Sequence, residues 1–455
     1  MGSLNKKYIY FICAVSAMGG LLFGYDWVVI GGAKIYYEQF FGITSRPLLI
    51  GLATSIALAG CMIGALTAGT AADRYGRKPL MVLAALIFVV SSIGTGAFNS
   101  FGGFLAARFV GGIAIGIASG LSPMYIAEAA PASIRGKLVT LNQLTIVIGI
   151  LAAQIVNWRI AGTHDPQWNT EAGWRWMFWA TAFPAALFLI LAFVIPESPR
   201  YLALKGRYEG ARSILSRIGG NEYADAELEA IKASATADGA SRRGSLGTLL
   251  SRPFRKVLLL GIIIAFFQQW CGTNVIFNYA QEIFQGAGYD VDNTFINIVI
   301  TGIANLVFTF VALFTVEKLG RRSLMLLGAG GLAGIYLILG ACFFFQVKGI
   351  FMVILCVAAI ACYAMTLGPI TWVLISEIFP NKVRAVAVAT ATFFLWIGSF
   401  TLTLSFPVLN KALGTSGTFW IYTAICCAAF FYLRRSLPET KGKSLEQLEN
   451  ELIGE

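Results

Sequence analysis

Charge is scarce in this chain. Lys, Arg, Asp and Glu make up 13% of its 455 residues, whereas 57% are hydrophobic. A soluble domain carries about twice that share of charge, so a water-soluble globular fold is excluded. Histidine is scarcer still: His164 stands alone, in a segment expected to be an outer loop, so histidine triads and the HExxH zinc motif are absent. The cysteines (Cys13, Cys61, Cys271, Cys342, Cys356, Cys362, Cys426 and Cys427) all fall inside apolar runs. They form no metal-ligand spacing and no disulfide framework. KGKS (441–444) lacks the upstream glycine of a phosphate-binding loop, which argues against an ATP-driven pump. GAGGLAG (328–334) superficially fits a dinucleotide fingerprint but lies within an apolar run with no preceding strand, so helix packing is the better reading. No cleavable signal peptide and no N-x-[ST] sequon is evident, and an enzyme is not expected.

What the chain has is long apolar runs. A membrane span needs about 20 mostly apolar residues, and twelve such runs are readable near 9–32, 48–72, 80–98, 101–127, 138–158, 175–195, 256–284, 294–316, 323–345, 350–378, 385–409 and 416–433. The net charge of +11 does not point to nucleic acid, because most basic residues lie in the termini and the even-numbered loops between spans. That bias places both termini in the cytoplasm. Residues 197–255 are the one long polar interval. Within it 207–218 and 222–234 read as short amphipathic helices and ADGASRRGS (237–245) as a linker, so the interval is either a solvated tether or a small helical cluster.

The two halves of the chain echo each other. DRYGRKP (73–79) recurs as EKLGRRS (317–323), EAAPASIR (128–135) as EIFPNKVR (377–384), and PESPR (196–200) in part as PETKG (438–442), all at nearly one offset. The organisation expected is therefore an N-terminal six-helix bundle (1–196), a linker (197–255), a C-terminal six-helix bundle (256–435) and a tail (436–455). Internal repeats of this kind are typical of secondary transporters, with the substrate held near the midplane between them. The echoed loops combine acids and arginines beside a glycine turn: Asp73, Arg74, Gly76, Arg77, Glu128, Arg135, Glu197 and Arg200 in one half, Glu317, Gly320, Arg321, Glu377, Arg384 and Glu439 in the other. They read as ionic clasps that break and remake as the halves rock.

Asp26 is the one charge between Tyr8 and Gly32. An isolated carboxylate in hydrocarbon is costly, so a partner is expected. Arg108, seven residues into the fourth span, matches it in depth at about 10 Å below the outer edge, at 1.5 Å per residue. At 4 Å and an effective dielectric near 20 such a pair attracts by about 4 kcal/mol, which a proton on Asp26 would cancel. Gly112, Gly116 and Gly120 share the arginine's helix face and are expected to form a close-packed seam. In QQWCGTNVIFN (268–278), Gln268, Gln269, Asn274 and Asn278 place four amides inside the seventh span, and Gly272 is expected to break the helix and gather them. Gln143 and Asn305 add amides. Trp372 offers an aromatic face after a helix break expected at Gly368-Pro369. Sugars need amides that both donate and accept, plus an aromatic surface.

GGLLFGYD, DRYGRKP, PMYIAEAAPASIRGK, PESPR, QQWCGTN, GPITWVLISEIFP and PETKGKSLEQLE together resemble the sugar porter family of the major facilitator superfamily, over essentially the whole chain. The likeness is strongest to bacterial sugar–proton symporters. It implies an all-α membrane protein of twelve helices in two pseudo-symmetric bundles, transporting a pentose or hexose by alternating access in a bacterial inner membrane. The bilayer, a monosaccharide and a proton would be its partners, with no cofactor and no nucleic acid, as a monomer. By the same resemblance Asp26 is the proton site and Arg108 its partner, while Gln143, Gln268, Gln269, Asn274, Asn305 and Trp372 fall on sugar-contact positions. Asn278 stands where the family usually has tyrosine, Leu395 (beside the further candidate Trp396) where it often has an amide, and Ala364 where facilitators have an acid. Facilitated uniport is the alternative, with Asp26 against it. A sugar sensor is less favoured because the tail is short.

Overall fold

The computed structural model describes residues 4–163, 165–240, 246–380, 383–441 and 447. Its elements are helical: α1 (Lys6–Phe40), α2 (Pro47–Tyr75), α3 (Arg77–Ala97), α4 (Phe101–Ala129), α5 (Arg135–Thr163) and α6 (Pro166–Val194). The short helix α7 (Pro199–Leu204), the long α8 (Tyr208–Ala240) and the short α9 (Leu246–Leu249) follow. The seventh predicted span is built from α10 (Arg252–Trp270), α11 (Thr273–Asn278) and α12 (Ala280–Gly286). Next come α13 (Val291–Leu319), α14 (Arg321–Phe344), α15 (Ile350–Met365), α16 (Leu367–Glu377) and α17 (Arg384–Ser436).

Eleven stretches among the described residues are long and apolar enough to cross a membrane. The last of them joins two predicted spans, 385–409 and 416–433, across Gly414, whose φ of 70° and ψ of 171° are non-helical. Twelve spans result. The first runs further than expected, to Phe40 rather than ending near Gly32, because the polar side chains beyond Gly32 find partners in the protein. α6 is interrupted by a π-helical stretch, Asn169–Gly173, and by Thr181. Two helix starts carry side-chain N-caps of the usual kind: Ser100 accepts from the Gly103 N–H at 3.2 Å, and Asp290 from the Asn293 N–H at 2.8 Å.

Contacts divide the chain into two compact units. One comprises Met1–Asp26, Gly60–Gly149 and Trp179–Arg243; the other comprises Trp27–Ala59, Ile150–Phe178 and Gly244–Glu455. In the first, α2 and α4 meet almost backbone to backbone: a Cβ on Gly60 would strike the Phe109 carbonyl oxygen, and one on Gly116 the carbonyl oxygen of Cys61. The seam expected along α4 stops there. Gly120 faces open space, since the neighbouring helix no longer approaches it.

The polar interval is a helical cluster. α8 is two helices joined at Gly220 (φ 84°), close to the two amphipathic segments expected. Arg212 binds Asp225 across that joint at 2.6 Å. The first half docks on the start of α1, where the Asn5 N–H donates to the Ile218 carbonyl at 2.8 Å and Arg217 lies 4.6 Å from the Tyr8 ring. Most of the 237–245 linker, like His164 and residues 442–446, lies outside the described residues.

Candidate functional site

Asp26 sits mid-helix in α1 and Arg108 in α4, and both are buried. Arg108 Nη1 donates to Asp26 Oδ1 at 2.8 Å. The two depths estimated from sequence thus converge on one ion pair. A charged pair in so dry a place is held by Coulomb attraction that solvent does little to screen. Asp26 Oδ2 is buried and has no hydrogen-bond partner among the described residues. The pair therefore keeps one acceptor oxygen in reserve, where a proton would add no clash with a donor.

The amides of the seventh span converge because the helix breaks. Gly272 adopts φ +90°, which a side chain would disfavour, and a Cβ there would meet the Tyr422 ring. Across the break, Asn274 Nδ2 donates to Gln269 Oε1, Gln269 Nε2 to Gln268 Oε1 at 2.5 Å, and Gln268 Nε2 to the Tyr363 hydroxyl at 2.6 Å. Tyr363, on α15, was not singled out from the sequence; an aromatic within an apolar run gives no sign of a polar role. Asn278 is buried on α11 with its Oδ1 unpartnered among the described residues, and Asn305 is buried on α13. Neither joins the relay. Gln143 is half-buried on α5, in the first unit. Trp372 is 41% exposed, an open aromatic face, whereas Trp396 is only 1% exposed and packs 6.0 Å from the ring of Trp27. The break in the tenth span falls at Thr366, not at Gly368-Pro369. Pro369 then lies in the first turn of α16, where its missing N–H costs little.

The echoed loops build the same cluster twice. In the first unit Arg77 Nε and Nη2 contact the two oxygens of Glu128 at 3.0 and 2.8 Å, a bidentate charge-assisted pair, and Nη2 also reaches Asp73 at 3.2 Å. Glu197 accepts from the backbone N–H groups of Arg77 and Lys78, at the positive end of α3. Ser198 Oγ donates to Glu128 at 2.5 Å. In the second unit Arg321 Nη2 reaches Glu377 at 3.2 Å, Glu439 accepts from the N–H groups of Arg321 and Arg322 at the start of α14, and Thr440 Oγ1 donates to Glu377 at 2.6 Å. Arg135 and Arg384 each donate through Nε to the carbonyl five residues back, at 3.4 and 3.1 Å. Arg74 and Arg200 are exposed, and the Glu317 side chain lies outside the described set. The glycines fit their acids: Gly76 (φ +105°) and Gly320 (φ +83°) leave room for the carboxylates of Glu197 and Glu439. Burial pushes the Glu439 carboxyl up, but the N–H groups of Lys441, Arg321, Arg322 and Thr440 outweigh it and hold it below its ordinary value. The roles of Ser198 and Thr440, and the capping role of the two acids, were not evident from the motifs.

The family model described as "Sugar (and other) transporter" matches residues 12–452. The D-xylose-proton symporter of Escherichia coli (strain K12) is 38% identical over 475 residues, covering 98% of this chain and 96% of that protein. The arabinose-proton symporter of Bacillus subtilis (strain 168) is 36% identical over 448 residues, with 98% and 96% covered. Among solved structures, the inward open conformation of the xylose transporter XylE from E. coli superposes with a TM-score of 0.87 at 36% identity, covering 98% of this chain and all of that one. XylE bound to 6-bromo-6-deoxy-D-glucose, titled a major facilitator superfamily proton:xylose symporter, superposes at 0.81 with the same identity, covering 98% of this chain and all of that one. With a family match and relatives that both span nearly its whole length, and with that helical architecture, the chain belongs to the sugar transporter family and has the major facilitator fold.

Proposed function

We propose that the chain carries a monosaccharide across a bacterial inner membrane together with a proton, by alternating access, as a monomer with both termini in the cytoplasm. The observation that carries this reading is the buried Asp26–Arg108 pair inside membrane helices. Relatives named as xylose– and arabinose–proton symporters support it, and favour a pentose. Asp26 takes the proton. While it is ionised, Arg108 binds it and α1 is tied to α4. Protonation cancels the attraction and releases the two helices. Gln268, Gln269, Asn274, Asn278 and Asn305, with Gln143, hold the sugar hydroxyls, while Trp372 and Trp396 supply aromatic surface. Sugar and proton drive the cycle together only if both favour the same state, since a ligand shifts an equilibrium by its differential affinity. Residues 1–196 and 256–435 are the bodies that rock, and the two loop clusters set the balance between states. No cofactor beyond the proton is needed and no reaction is catalysed.

Purified protein in proteoliposomes, given labelled xylose, arabinose, glucose and galactose with and without an imposed pH gradient, tests this. Accumulation of one pentose or hexose above its equilibrium level, dependent on the gradient, is expected. Equilibration alone at every pH would assign the chain to facilitated uniport.

A further inference from the structure

The proton-bearing helix and the sugar-bearing segment are joined by contacts that neither proposed site uses. α1 continues past Asp26, and two turns further on its surface is fixed to α11 and α12. A Cβ on Gly31 would lie 2.8 Å from the Phe277 carbonyl oxygen and 3.3 Å from that of Asn278, so the two backbones touch. The Gln281 side chain bridges the α1 backbone, with its Nε2 donating to the Gly32 carbonyl at 3.1 Å and its Oε1 accepting from the Ile35 N–H at 3.3 Å. Lys34, 3% exposed, pairs with Glu38 at 3.3 Å and with Glu282 of α12, and its ammonium lies 4.3 Å from the Tyr279 ring. Lys34 is about 12 Å along the helix from Asp26, eight residues at 1.5 Å each. On its other side α12 follows α11, which carries Asn274 and Asn278.

We propose that Lys34, with Gln281 and Glu282, forms the coupling link of the transporter: positioning residues that transmit a shift of α1 at Asp26 to the amides of α11. The inference rests on the proton–sugar reading above. Two sites are coupled only when an element with more than one arrangement is biased by both. Here α1 is biased by the proton at Asp26, and α11–α12 by sugar at the amides. The link joins them through the ion pair of a buried lysine with a half-buried glutamate, a bridging amide and a backbone contact, all of which must move together. Lys34 touches neither proton nor sugar. Its loss should therefore leave both binding events intact and sever their connection.

The variants are Lys34→Met/Glu38→Gln/Glu282→Gln, which removes the lysine together with both of its carboxylate partners so that neither is stranded, and Gln281→Leu, which leaves every charge in place. Each is reconstituted in full-length form beside the wild type and Asp26→Asn. Sugar affinity by calorimetry should stay within about threefold of wild type and sugar–sugar counterflow should persist. Accumulation driven by a pH gradient, and the number of protons entering per sugar, should fall at least tenfold in the triple variant and several-fold in Gln281→Leu. Gradient-driven accumulation at wild-type level in both would overturn the proposal. So would parallel loss of counterflow and accumulation, which would make the link a structural brace. Failure of the wild type to accumulate sugar would instead defeat the proton-symport reading itself.

Discussion

Arg108 donates through Nη1 to Asp26 Oδ1 at 2.8 Å, while the second carboxylate oxygen stays buried with no hydrogen-bond partner among the described residues. Asp26→Asn preserves shape and removes the negative charge. We expect accumulation driven by a pH gradient to vanish, with sugar binding and counterflow retained within a few-fold, as measured in proteoliposomes. Arg108→Ala should be worse. It leaves a buried carboxylate uncompensated, at a cost of about 3–5 kcal/mol, and should lower both yield and melting temperature in detergent.

Gln269 holds the centre of the amide relay, accepting from Asn274 and donating to Gln268. Gln269→Ala leaves two neighbours short of partners as well as removing the contacts to sugar proposed for it. Losing one or two such bonds costs about 1–3 kcal/mol, so calorimetry should show sugar affinity weaker by ten- to a hundredfold in a protein that still folds, with a lower melting temperature.

Gly76→Ala and Gly320→Ala should behave alike, since each would push a methyl group against a capping carboxylate and force a side chain into a backbone region reserved for glycine. Strain of this kind costs about 1–3 kcal/mol, read as a lower melting temperature. Arg77→Ala removes the bidentate pair with Glu128. Transport should slow while sugar affinity stays within a few-fold, as shown by initial rates set beside calorimetry.

The Glu439 carboxyl is held below its ordinary value of 4.5 by backbone N–H donors, against the opposing effect of burial. A carboxyl depressed in the folded state stabilises the fold above its unfolded value, and that contribution is lost as pH falls through the folded one. Glu439→Gln should therefore lower the melting temperature at pH 7. Its difference from wild type should shrink as the pH is taken from about 5 downward.

Much of the architecture was legible because it follows from the solvent. In hydrocarbon every backbone group must be satisfied within its own segment, so each long apolar run becomes a helix. Gly272 predicted the break that gathers Gln269 and Asn274, since glycine in a span beside amides marks a non-helical turn. Thr366 carried no such mark, and the tenth span was expected to break two residues too late. The motif repeats pointed to Glu197 and Glu439 as charged residues, but not to their capping of α3 and α14, because a cap depends on where a distant helix begins.

By itself, the sequence determined the helices, their number, the family and the isolation of Asp26, for these depend on local polarity and on patterns along one strand of chain. Only the tertiary structure decided which polar groups meet. Arg108 at Asp26, Tyr363 at the end of the amide relay and Glu282 at Lys34 are separated by 82, 95 and 248 residues. Such partners are selected by how helices pack, and in a chain this apolar almost any side chain on a facing helix offers the same hydrophobic gain. The pairings come from the close approach that small residues such as Gly31, Gly60 and Gly116 allow, and from the cost of leaving a buried charge or amide without one.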